Sequence, residues 1–172
     1  MKNLIFINGA SGVGKTTTSK ILLKILPNCV FLDGDWCWDA NPFVVNDETK
    51  CMVENNIAYL LNSFLTCSAY ENIIFCWVMH EESIIEKILS LIQTNAYSLY
   101  KFSLISSVKV LTARLKKDIE SGARDNSIIY NLERTFQRLP NYLTMNTTKI
   151  DVNDITPDKA AEAIYTHIYR TK

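Results

Sequence analysis

Residues 9–16 read GASGVGKT, directly after the run LIFIN at 4–8 and directly before TTSKILLKIL at 17–26. The first run is apolar without alternation, as a buried strand is. Residues 15–26 carry helical periodicity that Pro27 and Asn28 stop. G-x-x-x-x-G-K-T between a strand and a helix is the sequence form of a loop that cradles phosphate. Its glycines let backbone N–H groups turn inward around an anion, and the helix N-terminus adds the positive end of its dipole.

The chemistry of each position follows. Gly9, Ala10, Ser11, Gly12, Val13, Gly14, Lys15, Thr16 and Thr17 form the expected contact set for a nucleoside triphosphate. Lys15 reaches the β and γ phosphates and counts as a catalytic residue, while the Thr16 hydroxyl binds Mg²⁺. Both the triphosphate and the metal are therefore expected ligands.

Bulk properties narrow the class. The chain has 172 residues, enough for one domain with a real core, and its 18 basic and 18 acidic residues balance to a net charge of +0. Balance of that kind argues against a nucleic-acid partner, which calls for a basic excess. The cysteines at 29, 37, 51, 67 and 76 form no C-x-x-C pair and are odd in number. They read as reduced thiols of a cytoplasmic protein, most of them in the core. The opening MKNLIFIN is too short for a signal peptide or a membrane span.

Strand and helix signals alternate along the whole chain. Strands are expected at 4–8, 29–33, 72–79, 98–106 and 147–151. Helices are expected at 15–26, from a cap at Asn46 or Asp47 onward, at 81–93, 108–121, 127–139 and from Pro157. On the long second helix Val53, Ile57, Leu60, Leu61, Phe64 and Leu65 fall on one face. Five strands separated by helices predict a three-layer α/β domain with a five-stranded, mainly parallel sheet.

Residues 31–35, FLDGD, close the second strand and are followed by Trp36 and Trp38. With the phosphate loop ahead of it, LDGD at 32–35 resembles the second-strand end of gluconate kinase and adenylylsulfate kinase, and the spacing F-x-D-x-D is similar to shikimate kinase. The resemblance to the small P-loop kinases spans most of the chain in element order. Its specific residues are confined to the phosphate loop, the DGD and an arginine region. It implies that Asp33 helps hold the Mg²⁺ hydration shell and that Asp35 contacts the acceptor hydroxyl as base or orienter. On an extended strand the two carboxylates point the same way, about 6–7 Å apart, at the carboxyl end where parallel sheets bind ligands.

The alternatives each lack a part. The third strand ends in Met79-His80-Glu81, with histidine where a motor ATPase carries an acidic residue. Thr148-Lys149-Ile150-Asp151 matches a guanine-specifying pattern, yet no D-x-x-G switch element lies between it and the phosphate loop.

Four of the five arginines (114, 124, 134 and 138) lie within 25 residues. The segment around Arg114, Gly122 and Arg124 resembles the kinase lid, spanning about 114–138. There Arg124 is the catalytic lid candidate and Arg114 an adenine or phosphate contact. Pro157 sits where this family packs a loop against adenine.

Between 36 and 71, the expected acceptor-binding segment, Lys50 is the single basic residue against Asp39, Asp47, Glu48, Glu54 and Glu71. The acceptor is therefore expected to be small and not strongly anionic, unless a lid arginine such as Arg138 reaches it. Trp36, Trp38, Trp77 and His80 are the remaining acceptor candidates, suited to a ring-bearing nucleoside, sugar derivative or antibiotic. A nucleotide or polynucleotide 5′-kinase is the runner-up, and a nucleotide-binding switch without transfer is the rival from another class. The sequence leaves monomer and homodimer both open.

Overall fold

The computed structural model describes residues 1–122 and 132–170. Five parallel strands form one sheet in the order β2-β3-β1-β4-β5. They are β1 (Lys2–Gly9), β2 (Cys29–Asp33), β3 (Asn72–Cys76), β4 (Tyr97–Ile105) and β5 (Thr148–Asp151). The flanking helices are α1 (Lys15–Ile25), α2 (Asp47–Thr66), α3 (Glu82–Ser90), α4 (Val108–Glu120), α5 (Leu132–Gln137), α6 (Leu139–Thr144) and α7 (Pro157–Arg170). The α/β three-layer P-loop architecture read from the sequence is the one observed. All strand pairings run parallel.

The central strands need no polar alternation because both faces are covered. Leu4, Ile5, Phe6 and Ile7 on β1, with Ile73, Ile74 and Phe75 on β3, are buried, and Phe6 meets Phe75 edge-on at 5.0 Å. At the opposite end of these strands from the phosphate loop, Asn3 Nδ2 donates to Asn72 Oδ1 at 2.7 Å, and Asn72 Nδ2 donates to the Pro27 carbonyl. This buried amide pair fixes the β1–β3 register, since a slip by one residue would leave it unpaired.

On α2, Val53, Ile57, Leu61 and Leu65 are buried, whereas Leu60 and Phe64 are half-buried at the margin of that face. Its first turn is closed by Asn46. The Asn46 Oδ1 accepts from the Thr49 amide at 2.8 Å, and the Thr49 hydroxyl accepts from the Asn46 amide at 3.0 Å. Asn46→Ala is expected to cost about 1 kcal/mol, lowering the thermal midpoint by roughly 2–4 °C for a chain of this size. An unchanged melting curve would show that the reciprocal bonds add nothing net.

Four expectations are corrected. β3 ends at Cys76 rather than Met79. Beyond Cys76 its neighbour β2 has already turned away, and the Met79 carbonyl accepts from the Asn8 side chain instead. The helix expected at 127–139 is broken within its described part, where α5 stops at Gln137 and α6 starts at Leu139. Pro140 has no N–H to continue the ladder. Residues 127–131, like Arg124, lie outside the described residues. Of the cysteines only Cys76 is buried, Cys51 is exposed, and Cys29, Cys37 and Cys67 are intermediate.

FLDGD, fourth, is not one extended strand. Asp33 is the last residue of β2, while Asp35 lies in a short 3-10 turn over Gly34–Cys37. The two carboxylates therefore do not project from one extended strand. The Asp33 side chain accepts from the Asp35 amide at 3.2 Å, capping the turn that separates them.

Candidate active site

The carboxyl ends of β1, β2 and β3 meet at the phosphate loop. Gly12 sits there at φ +80°, and a Cβ on it would lie 2.4 Å from Leu115 Cδ2. Glycine is thus required twice, for the left-handed backbone and for the close approach of α4. Lys15 is buried, and its Nζ donates to the Gly9 carbonyl at 2.9 Å and the Ala10 carbonyl at 3.0 Å.

Across the loop, Thr16 Oγ1 donates to Asp33 Oδ2 at 2.7 Å. Asp33 is 4% exposed, so this hydroxyl–carboxylate contact is shielded from bulk water. The pair offers only hard oxygen donors at the loop mouth, a set that fits Mg²⁺. Thr16 would bind the ion directly and Asp33 would orient its water. Beside Asp33, at the paired position of β3, lies fully buried Cys76. Burial, with the Asp33 charge behind it, pushes the Cys76 thiol up to about 12, so it stays protonated next to the carboxylate.

Asp35 takes the other side. Trp77 Nε1 donates to Asp35 Oδ1 at 3.1 Å. The indole reaches it by lying flat on Gly34, where a Cβ would come within 2.4 Å of Trp77 Cγ. Trp77 thus stands at the site as a support for Asp35, and the chain leaves β3 in order to place it.

The phosphate loop and Asp35 share one cavity of about 300 Å³, with Asp33 and Trp77 outside its lining. The loop from Ser11 to Thr18 forms one wall and Asp35 with Val78 faces it. Arg114 and Asp118 come from α4, and Val152, Ile155 and Pro157 come from the segment that leads into α7. The Arg114 guanidinium donates to the Val13 carbonyl at 3.2 Å and to the Val152 carbonyl at 2.5 Å. It therefore ties the phosphate loop to the wall that carries Pro157. No motif in the sequence marks Thr18, Val78, Asp118, Val152 or Ile155, which the fold brings to this cavity. Asp118 had a signal, since it follows Arg114 by one helical turn.

Other expected residues lie elsewhere. Trp36 is exposed and packs edge-on against Phe31 at 5.2 Å. Trp38 is half-buried and stacks at a tilt on Phe43, with centroids 5.1 Å apart. His80 lines a separate hollow with Glu81, Glu82, Glu86 and residues of α6. Its imidazole is held below its ordinary value by burial first and by the Arg138 charge second, so it is neutral at pH 7. Arg138 precedes α6 beside that hollow rather than lining the loop cavity. Arg124 is outside the described residues.

The guanine-type pattern is also accounted for internally. Lys149 Nζ donates to the Met145 and Thr147 carbonyls, and Asp151 Oδ1 accepts from the Asn153 amide and side chain. No helix among the described residues is long and apolar enough to cross a membrane.

Solved structures share this fold across nearly the whole chain. The Deinococcus radiodurans tunicamycin resistance protein matches 98% of this chain and 96% of its own, at 23% identity and a TM-score of 0.71. A shikimate kinase from Acinetobacter baumannii matches 100% and 96%, at 18% identity and 0.66. A gluconokinase from Sinorhizobium meliloti matches 99% and 97%, at 17% identity and 0.65. At these identities the likeness establishes a P-loop kinase-like fold. No curated protein matches the chain in sequence. The sequence profile of the AAA domain family (AAA_18) matches residues 5–135, well over half of the chain, and the chain belongs to that family.

Proposed function

We propose that the chain is an ATP-dependent kinase that transfers the γ-phosphoryl group to a hydroxyl of a small, non-anionic acceptor. The observation that carries this reading is Asp35, a carboxylate lining the phosphate-loop cavity and anchored by the Trp77 indole. A nucleotide switch without transfer has no use for such a group.

The residues divide the work. The amides of the loop and Lys15 hold the β and γ phosphates, for which a phosphate oxygen is a better acceptor than the carbonyls of Gly9 and Ala10. Thr16, with Asp33 behind it, would hold Mg²⁺, which would supply charge neutralisation at the phosphates. Asp35 orients the acceptor hydroxyl and takes its proton as the oxygen bonds to the γ phosphorus, while the bond to the bridging oxygen breaks and ADP leaves. Arg114, Ile155 and Pro157 form the slot that suits a nucleobase.

The non-anionic acceptor is supported by charge. Lys50, the one basic residue of 36–71, pairs with Asp47 at 3.3 Å. The decisive experiment offers ATP and GTP in parallel to sugars, nucleosides, aminoglycosides and, given the neighbour's name, tunicamycin, with nucleoside monophosphates and RNA 5′ ends beside them. Phosphorylation of an uncharged hydroxyl compound is expected. Transfer confined to the monophosphates or RNA ends would replace this reading with the nucleotide-kinase one. Nucleotide binding with no transfer to any acceptor would leave the switch.

A further inference from the structure

The wall of the cavity that faces the phosphate loop pairs the Asp35 carboxylate with an apolar side chain, Val78. The other apolar residues of the lining belong to the loop itself, at Val13, or to the far segment that carries Val152, Ile155 and Pro157. Val78 is held in place from both sides. The Trp77 amide donates to the Ile7 carbonyl at 3.3 Å, and the Met79 carbonyl accepts from Asn8 Nδ2 at 3.2 Å. Ile7 and Asn8 run directly into Gly9, so Val78 is pinned against the entry to the phosphate loop. Trp77 sends its indole over Gly34 to Asp35, and Met79 is fully buried. Half-buried Val78, between them, lines the cavity.

The effect of such a wall follows from what each possible acceptor needs. A water molecule is held in one place only by about two to four polar partners. Asp35 supplies one, and the methyl groups of Val78 beside it supply none. A bound acceptor is different, because the rest of its body positions the hydroxyl and the carboxylate has only to take the proton. Apolar surface at this point therefore hinders hydrolysis more than transfer.

We infer that Val78 sets transfer over hydrolysis, by denying an attacking water a second hydrogen bond beside Asp35. The inference rests on the kinase reading for the phosphoryl group and on the pinned position of Val78 for its effect. In the reaction that Val78 suppresses, a water oxygen bonds to the γ phosphorus and Asp35 takes the proton. The bond to the bridging oxygen breaks, releasing ADP and phosphate.

Val78→Thr tests it, since threonine keeps the branched shape and exchanges one methyl for a hydroxyl. Phosphate release from ATP and Mg²⁺ is measured without any acceptor, with Lys15→Met as the background. Release is expected to rise about five- to tenfold in Val78→Thr, the worth of one hydrogen bond at the reacting atom, with ATP affinity within about twofold of the parent. Val78→Ile, which stays apolar, is expected to lower it. Adding Asp35→Asn to Val78→Thr is expected to abolish the gain. Unchanged release in Val78→Thr would overturn the inference, as would an equal rise in Val78→Ile or a gain that survives without the Asp35 carboxylate. Transfer is scored separately on the acceptor panel. A rise in hydrolysis with no acceptor phosphorylated removes the kinase reading alone, and transfer with a silent Val78→Thr removes this inference alone.

Discussion

Asp35→Asn is expected to leave ATP affinity within about twofold of the parent while phosphoryl transfer falls by roughly 10²–10⁴, the usual worth of a positioned base. Asparagine keeps the volume of the side chain and an oxygen for the Trp77 N–H that now binds Oδ1 at 3.1 Å. The indole and Gly34 therefore have no reason to move. What is lost is the ability to accept the proton of the acceptor hydroxyl. Asp33 cannot substitute, because its two oxygens already accept from Thr16 and from the Asp35 amide. Nucleotide titration and steady-state kinetics on one preparation separate the two effects. Full turnover in the variant would remove Asp35 from the mechanism, and lost ATP binding would recast it as a structural support of the loop.

Much of this arrangement is legible in the sequence, for reasons that differ from part to part. GASGVGKT between two apolar segments fixes the order of strand, loop and helix because glycine, lysine and threonine each have a physical duty at their spacing. The continuous apolar runs on β1 and β3 announce a covered parallel sheet. The end of β3 was not legible, because FCWVM is apolar throughout and nothing local separates a core tryptophan from one that turns out to meet Asp35. That distinction depends on Gly34, forty-three positions earlier, having no Cβ. The two aspartates were legible as a pair but not as a geometry, since the 3-10 turn between them is held by the Asp33 side chain. Charge and position in sequence group His80 and Arg138 with the acceptor, whereas tertiary packing sets them together beside α6. The helix expected at 127–139 stops just before Pro140, whereas that proline sits in the first turn of α6, a position where its missing N–H costs nothing.

Lys15→Met carries the other large expected effect, about 10²–10³ in turnover and a comparable loss of tight ATP binding, the scale seen when one preorganised donor is removed from developing charge. The stem of Lys15 is buried in the first turn of α1, and methionine replaces that stem with little change in packing. The ammonium is different, because it is the one cation of the loop and bonds the carbonyls of both Gly9 and Ala10. Gly9 and Ala10 are buried and outside the cavity lining, so methionine leaves their two carbonyls without this donor and the melting temperature should fall modestly. The larger deficit should appear in titrations with ATP and Mg²⁺. Lys15→Arg sharpens the comparison. It restores the charge but not the compact point donor, so it should recover part of the binding and little of the turnover. If Lys15→Met binds and turns over ATP as the parent does, GASGVGKT is not a phosphate cradle and the kinase reading falls with it.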